Sequence, residues 1–141
     1  MKYFLIVASK DHVKVGVENG FAQAGHGKKL QLAKMEKGDW VIYYSAKGKY
    51  KEGKPYQKFT AIGQVEDNKP YQVTVNPDFE PWRRKINFYS VRELEIRPLL
   101  DDLNFITNRE RWGLHLISGF LEIKKADFKM IAEKMLIHKK I

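Results

Sequence analysis

Six consecutive apolar residues near the start of the chain, YFLIVA at 3–8, limit the folds that this sequence can adopt. A strand that alternates apolar and polar residues buries one face, whereas an unbroken apolar strand needs cover on both faces. The run is far shorter than a bilayer-spanning segment. It therefore predicts a central strand of a sheet that is covered on each side.

The rest of the chain shows short strands and helices in mixed order. Apolar and β-branched runs bounded by turn residues predict further strands at 40–45, 58–65, 70–75, 85–91 and 120–123. Helical spacing of apolar residues predicts helices or helical turns at 10–19, 30–35, 99–106 and 126–137. The lysine- and glycine-rich stretch 46–57 has no period and is predicted to be an exposed hairpin connection. This order favours one α+β domain over 1–141, with a strongly curved mixed sheet or small barrel.

Composition points to a soluble chain with an anionic partner. The 141 residues are 43% hydrophobic and 30% charged, which is ordinary for a globular protein. The absence of cysteine excludes disulfides, thiolate nucleophiles and cysteine-bound zinc, and no secretory signal pattern is present, so we expect a cytoplasmic protein. The net charge of +9 favours a polyanion such as nucleic acid, although it also fits a merely solubilising surface.

Familiar catalytic patterns are missing. The GHGK sequence at 25–28 resembles a phosphate-binding loop, but Ala22 replaces its first glycine and Lys29 its Ser or Thr. The four histidines, His12, His26, His115 and His138, lack metal-ligand spacing, and no serine nucleophile motif occurs. We therefore predict no metal, cofactor or catalytic residue, and expect His12 and His26 to bond ligand or backbone.

Aromatic residues stand beside basic ones outside the apolar periods. Phe21 lies in a glycine-rich loop, and Trp82 follows Pro81 and precedes Arg83 and Arg84. Stacking on bases and contact with phosphates together require this combination. The alternative is that each tryptophan plugs the end of a barrel while its arginines are solvated. We expect Trp82 to matter more for binding than for folding.

The motifs VASKDHV, GFAQAGHGKK, LAKMEKGDWVIYYS, FTAIGQV and PWRRK, followed by WG and a closing DFxxI helix, occur in this order along nearly the whole chain. In this order they resemble the EVE domain family. The resemblance implies a PUA-like fold, a curved mixed sheet flanked by short helices. It also implies kinship with YTH domains, which hold N6-methyladenine in an aromatic cage, and a partner that is DNA or RNA with a methylated or otherwise modified base.

The same resemblance implies roles for individual residues. Phe21 and Trp82 would form two walls around a base, with Ser9 and Gln23 bonding its edge and His12 and His26 at the rim. Apart from the resemblance, positive charge near these aromatic residues and on the hairpin predicts that phosphates are held by basic side chains, namely Lys28, Lys49, Lys51, Arg83 and Arg84. The chain would act as a monomer or weak homodimer, without a membrane. Two alternatives remain: a pocket for a small molecule, nucleotide metabolite or protein partner, and a hydrolase that uses His12 or His26.

Overall fold

The computed structural model describes residues 1–51 and 53–137, so His138 lies outside the described part of the chain. Eight strands form a mixed sheet that is curled into a half-barrel. The strands are β1 (Tyr3–Val7), β2 (Phe21–Ala22), β3 (Trp40–Lys47), β4 (Pro55–Val65), β5 (Tyr71–Gln72), β6 (Trp82–Phe88), β7 (Leu94–Glu95) and β8 (Phe120–Ile123). The helices are α1 (Lys10–Asn19), α2 (Lys29–Leu32) and α3 (Lys125–Met135), with 3-10 helices at Arg97–Leu99 and Trp112–Leu116.

The strand order is β2-β6-β4-β3-β1-β8, with β5 added to β6 and β7 added to β4. The central strand β1 runs parallel to β3 and antiparallel to β8, and the remaining pairs are antiparallel. The predicted α+β class with a curved mixed sheet and short helices is therefore confirmed.

The central strand is covered on both faces, as the apolar run predicts. Leu5 belongs to a core cluster that includes Phe128 and Ile131 of α3. Phe4 and Ile6 point the other way, into a second cluster with Val13 of α1 and with Leu32 of α2. The layers are thus α3, the sheet, and the pair α1 and α2. Because α1 and α2 cover the second face, they position the segment before α1 and the loop between β2 and α2.

Several segments differ from the predicted elements. The 99–106 stretch is a 3-10 helix at Arg97–Leu99 followed by turns, because Leu103 and Ile106 are buried individually and the Asn104 backbone N–H bonds the Asp127 carboxylate at 2.9 Å. The helical spacing of apolar residues in this stretch reflects the burial of single side chains and not an α-helix. The predicted strand at 70–75 shortens to Tyr71–Gln72, while β4 and β6 begin earlier than predicted.

Candidate functional site

Two of the predicted site residues lie against Tyr50, an aromatic residue between β3 and β4. The ring of His12, in the first turn of α1, lies 5.0 Å from the Tyr50 ring. His26 approaches the same ring edge-on at 6.3 Å from the loop after β2. Tyr50 itself remains 41% exposed, so part of the residue is accessible to a ligand beside these two imidazoles.

Asp11 ties these segments together. Its carboxylate accepts hydrogen bonds from Ser9 Oγ at 2.5 Å and from the His12 backbone N–H at 2.9 Å, and the Tyr50 N–H lies 3.3 Å from each oxygen. The Asp11 N–H donates to the Gly48 carbonyl at 3.0 Å. The start of α1 is therefore bonded to the β3–β4 hairpin. We call this set the Tyr50 cluster: Ser9, Asp11, His12, His26 and Tyr50.

The ionisation of Asp11 reflects the same contacts. Partial burial acts to raise the pKa of its carboxyl group. Hydrogen bonds from Ser9, Tyr50 and His12, together with the nearby His12 imidazole, outweigh that effect and hold the pKa below its usual value. Asp11 is thus a stable anion that fixes the hairpin at neutral pH.

The loop after β2 takes its shape from three consecutive left-handed residues. Gly25, His26 and Gly27 have φ values of 55°, 60° and 84°. The Gly27 carbonyl accepts the Trp82 backbone N–H at 2.8 Å, so the loop is fixed to the start of β6. A Cβ atom on Gly27 would lie 2.3 Å from Pro81 Cβ. This close approach holds His26 beside Tyr50.

Gly27→Ala should therefore destabilise the protein more than Gly25→Ala. Both substitutions place a side chain on left-handed backbone, at a cost of about 1–2 kcal/mol. Only the Gly27 variant adds a clash, worth about 1–3 kcal/mol, because nothing lies within 4 Å of the Gly25 position. Urea unfolding of the two variants would measure the difference. Equal losses would show that the loop does not depend on its contact with Pro81.

Phe21 and Trp82 do not face each other. Phe21 pairs opposite Lys85, and Ala22 pairs opposite Arg84. Because successive strand residues point to opposite faces, Phe21 shares a face with Lys85, whereas Trp82 shares the other face with Arg84. Trp82 is half-buried and packs against the core cluster that contains Ala22. The predicted sandwich of a base between Phe21 and Trp82 is therefore wrong for this geometry.

Each of the two aromatic residues has a cation over its ring. The Arg83 guanidinium lies 3.7 Å from the centroid of Phe21, and its Nε donates to Gln23 Oε1 at 2.6 Å. The ammonium group of Lys29 lies 4.7 Å from the centroid of Trp82. Gln23 therefore orients Arg83 on the Phe21 ring, and its side-chain oxygen is bonded to that arginine.

Arg84 is structural. Its side chain is fully buried, and Nε bonds the Asp67 carboxylate at 2.6 Å. One terminal nitrogen donates to the carbonyls of Leu32 at 2.8 Å and of Met35, and the other donates to the Asp67 carbonyl at 3.0 Å. The predicted phosphate contact is wrong for Arg84, because its side chain is fully buried and its guanidinium already donates to Asp67 and to the backbone carbonyls of Leu32 and Met35.

The predicted phosphate-binding lysines stay at the surface. Lys28, Lys49 and Lys51 are exposed, and the Lys51 ammonium lies 5.5 Å from the Tyr50 ring centroid. Sequence reasoning missed Tyr50 and Asp11. The signal for Tyr50 was an aromatic residue within KGKYK, the same aromatic-and-basic pattern that singled out Trp82.

The chemistry that the cluster offers is a ring, two imidazoles, a hydroxyl group and nearby amines. Within 1–51 and 53–137, no three His, Asp or Glu side chains are grouped to hold a metal ion. No helix in those ranges is long and apolar enough to cross a membrane.

Comparison with known sequences gives consistent matches along the chain. The model of the EVE domain matches residues 2–134. A UPF0310 protein of Mycolicibacterium vanbaalenii is 48% identical over 135 residues, covering 96% of this chain and 93% of the relative. The UPF0310 protein YdcG of Bacillus subtilis is 40% identical over 133 residues, covering 94% and 91%.

Solved structures share the fold at low identity. The YTH domain of the Zygosaccharomyces rouxii MRB1 protein, solved in complex with N6-methyladenosine RNA, has a TM-score of 0.65 at 15% identity, covering 99% of this chain and 87% of that one. A Rhodopseudomonas palustris protein solved by NMR has a TM-score of 0.57 at 15% identity, covering 95% and 92%. These likenesses concern the fold alone.

Proposed function

Since the chain belongs to the EVE domain family, we propose that it is a nucleic-acid-binding module that holds a nucleobase at the Tyr50 cluster. The observation that carries this proposal is the meeting of Ser9, His12 and His26, from separate segments, around an exposed tyrosine on a lysine-rich hairpin. Sequence-remote residues that converge on an open ring are typical of a binding site and not of a solvated surface.

The groups of the cluster match the parts of a nucleotide. The open Tyr50 ring offers a stacking surface, and base–aromatic stacking contributes about 1–3 kcal/mol per base. The imidazoles offer donors and acceptors for a base edge, and the Ser9 hydroxyl, whose proton is donated to Asp11, offers an acceptor. Exposed lysines on the same hairpin, at 47, 49, 51 and 54, offer positive charge for phosphates, and the Lys51 ammonium lies 5.5 Å from the ring centroid.

Trp82 lies at the margin of this site. Its backbone N–H donates to the carbonyl of Gly27, the neighbour of His26. The ammonium group of Lys29 lies over its half-buried ring. We assign it a supporting role, holding the His26 loop, with Lys28 and Lys29 available to phosphates. This supporting role replaces the predicted role of Trp82 as one wall around a base, because Trp82 packs against the core.

The geometry favours binding over proton transfer. Asp11 accepts its hydrogen bonds from Ser9 Oγ and from backbone N–H groups, so it anchors the loop and does not orient an imidazole as a general base. In a triad-type site the histidine is oriented by a third group and lies within hydrogen-bond reach of a nucleophile, and Asp11 supplies no such orientation here. Cleavage or deamination of an oligonucleotide that is lost in His12→Ala would contradict the binding function.

More specifically, we propose that the bound base is modified, and methylated bases are the first candidates to test. The YTH domain that shares the fold is described with N6-methyladenosine RNA, which makes that ligand the natural first probe. A methyl group adds apolar contact with a ring, and its selectivity amounts to about 1–3 kcal/mol. A panel of single-stranded DNA and RNA oligonucleotides, unmodified and methylated, would rank the candidates by dissociation constant.

The salt dependence of binding tests the nucleic-acid class itself. For a single strand, each phosphate contact contributes about −0.7 to the slope of log K against log salt concentration. Changing Lys47, Lys49, Lys51 and Lys54 together to Ser should therefore make that slope shallower, by up to about 0.7 for each lysine that contacts a phosphate.

A matched variant separates contact from net charge. Lys2, Lys124, Lys125 and Lys134 are also exposed, and their change to Ser removes the same charge away from the hairpin. The slope should stay near the wild-type value in that variant. Equal effects in both variants would mean that the hairpin makes no direct contact. Binding of free nucleotides without any oligonucleotide would instead support a small-molecule pocket.

A further inference from the structure

The face of β6 that points away from the core carries cations flanked by aromatic rings. Arg83 and Lys85 alternate with the buried Arg84, so they share this face. Tyr71 of β5 pairs directly opposite Arg83, and Phe21 of β2 pairs opposite Lys85. We call this the outer sheet face: Phe21, Tyr71, Arg83 and Lys85.

The outer sheet face is open and positively charged. Tyr71 is 38% exposed and Lys85 is exposed, whereas Phe21 is covered by the Arg83 guanidinium. Burial raises the pKa of Tyr71, the charge of Arg83 acts against it, and the charge of Asp67 adds to it, so both charged groups lie near this ring. The Asp67 carboxylate is paired with Arg84 and accepts the Lys85 backbone N–H.

Arg83 is held ready for a ligand. Its guanidinium carbon lies 3.7 Å from the centroid of the Phe21 ring. Its Nε donates to Gln23 Oε1 at 2.6 Å. An arginine with few remaining rotamers loses less conformational entropy when it meets a phosphate. Tyr71, on the adjacent strand, supplies a partly exposed aromatic residue opposite that cation.

A short segment of chain connects the outer sheet face to the proposed base site. Gln23 bonds Arg83 with its side chain and stands three residues before His26, which borders Tyr50. Three residues span at most about 11 Å of chain. A nucleic-acid strand that leaves the Tyr50 cluster past His26 therefore reaches Arg83 within a few nucleotides.

We propose that the outer sheet face is a second contact site for single-stranded nucleic acid, holding nucleotides that flank the bound base. Tyr71 stacks on one base, and Arg83 and Lys85 hold the adjoining phosphates. Charge complementarity and a stacking ring next to cations identify this occupant. The inference rests on the proposed function, because the flanking strand must come from a base at the Tyr50 cluster.

The experiment compares a short and a long ligand on the full chain. The probes are a single nucleotide of the preferred base and a single strand of about ten nucleotides that contains it, a length within the usual range for such sites. Tyr71→Ala should weaken the long ligand by about 5- to 150-fold and leave the single nucleotide unchanged. Tyr71→Phe keeps the ring and should bind both ligands as the wild type does.

A second variant tests the phosphate contact. Lys85→Ser should make the salt slope of the long ligand shallower by about 0.7, whereas Lys125→Ser, an exposed lysine on α3, should leave it unchanged. Melting curves would verify that each variant is folded.

The outcomes separate the two proposals. If the wild type binds the long ligand no more tightly than the single nucleotide, or if Tyr71→Ala and Lys85→Ser leave it unaffected, the outer sheet face makes no contact, although the proposed function stands. If Tyr71→Ala weakens both ligands equally, its effect passes through the fold and the inference is also overturned. Failure of the wild type to bind either ligand contradicts the proposed function and this inference with it.

Discussion

Replacing Arg84 with methionine should lower the free energy of unfolding by about 3–5 kcal/mol, the usual loss when one partner of a buried ion pair is removed. The guanidinium is fully buried, and it satisfies the Asp67 carboxylate and the carbonyls of Leu32 and Met35. Methionine fills similar space but donates no hydrogen bond, so these acceptors would lose their partner. Urea unfolding at neutral pH would measure the loss.

The adjacent arginine provides the matched control. Arg83→Met removes the same charge from the same strand, but Arg83 is only half-buried and lies on the opposite face. We expect a loss below about 1 kcal/mol there, typical of a surface cation. A fall of similar size in both variants, or a loss below about 1 kcal/mol for Arg84→Met, would contradict the structural role of Arg84.

These two neighbours show what sequence could not determine. The PWRRK motif presents both arginines equally, and charge alone made both of them phosphate ligands. Which one turns inward depends on the pairing of β6 with β2 and β5, since a shift of one residue exchanges the two faces. The pairing of β6 with β2 joins Phe21 to Lys85, which are 64 positions apart along the chain, so local patterns carried no information about it.

The same pairing explains the error over Phe21. Local glycines predicted a loop around it, but the structure forms the short strand β2 with Phe21 opposite Lys85. The strand β1 was predictable because its requirement for two-sided cover is a property of its own residues. The strand β2 has only two residues and exists through its partner β6.

The sequence indicated which segments contribute to the candidate site but not the contacts between them. Ser9, His12 and His26 were assigned to one site from the order of motifs, and the structure brings them together. Tyr50 was missed because the hairpin was interpreted only as a source of lysines. The hydrogen bonds from the Tyr50 backbone N–H to the Asp11 carboxylate join residues 39 positions apart, which spacing along the chain cannot show.

Tyr50→Ala should weaken binding of the preferred base by about 5- to 150-fold, the loss of one stacking contact of about 1–3 kcal/mol. The ring of Tyr50 is the part of the cluster that both imidazoles approach, and its 41% exposure leaves room for a base. The melting temperature should change little, because a surface ring contributes little to the core. A titration with the single nucleotide of that base, paired with a melting curve, would measure both quantities.

Tyr50→Phe decides between stacking and other causes of lost affinity. Phenylalanine keeps the ring and the backbone N–H that bonds Asp11, and it removes only the hydroxyl group. We therefore expect Tyr50→Phe to bind within a few-fold of the wild type, whereas Asp11→Asn, which weakens the anchor of the hairpin, should reduce affinity while keeping the ring. If Tyr50→Ala binds the base as tightly as the wild type does, the base does not stack on this ring. If Tyr50→Phe loses as much affinity as Tyr50→Ala, the hydroxyl group and not the ring makes the contact, and the stacking geometry proposed for the cluster is wrong.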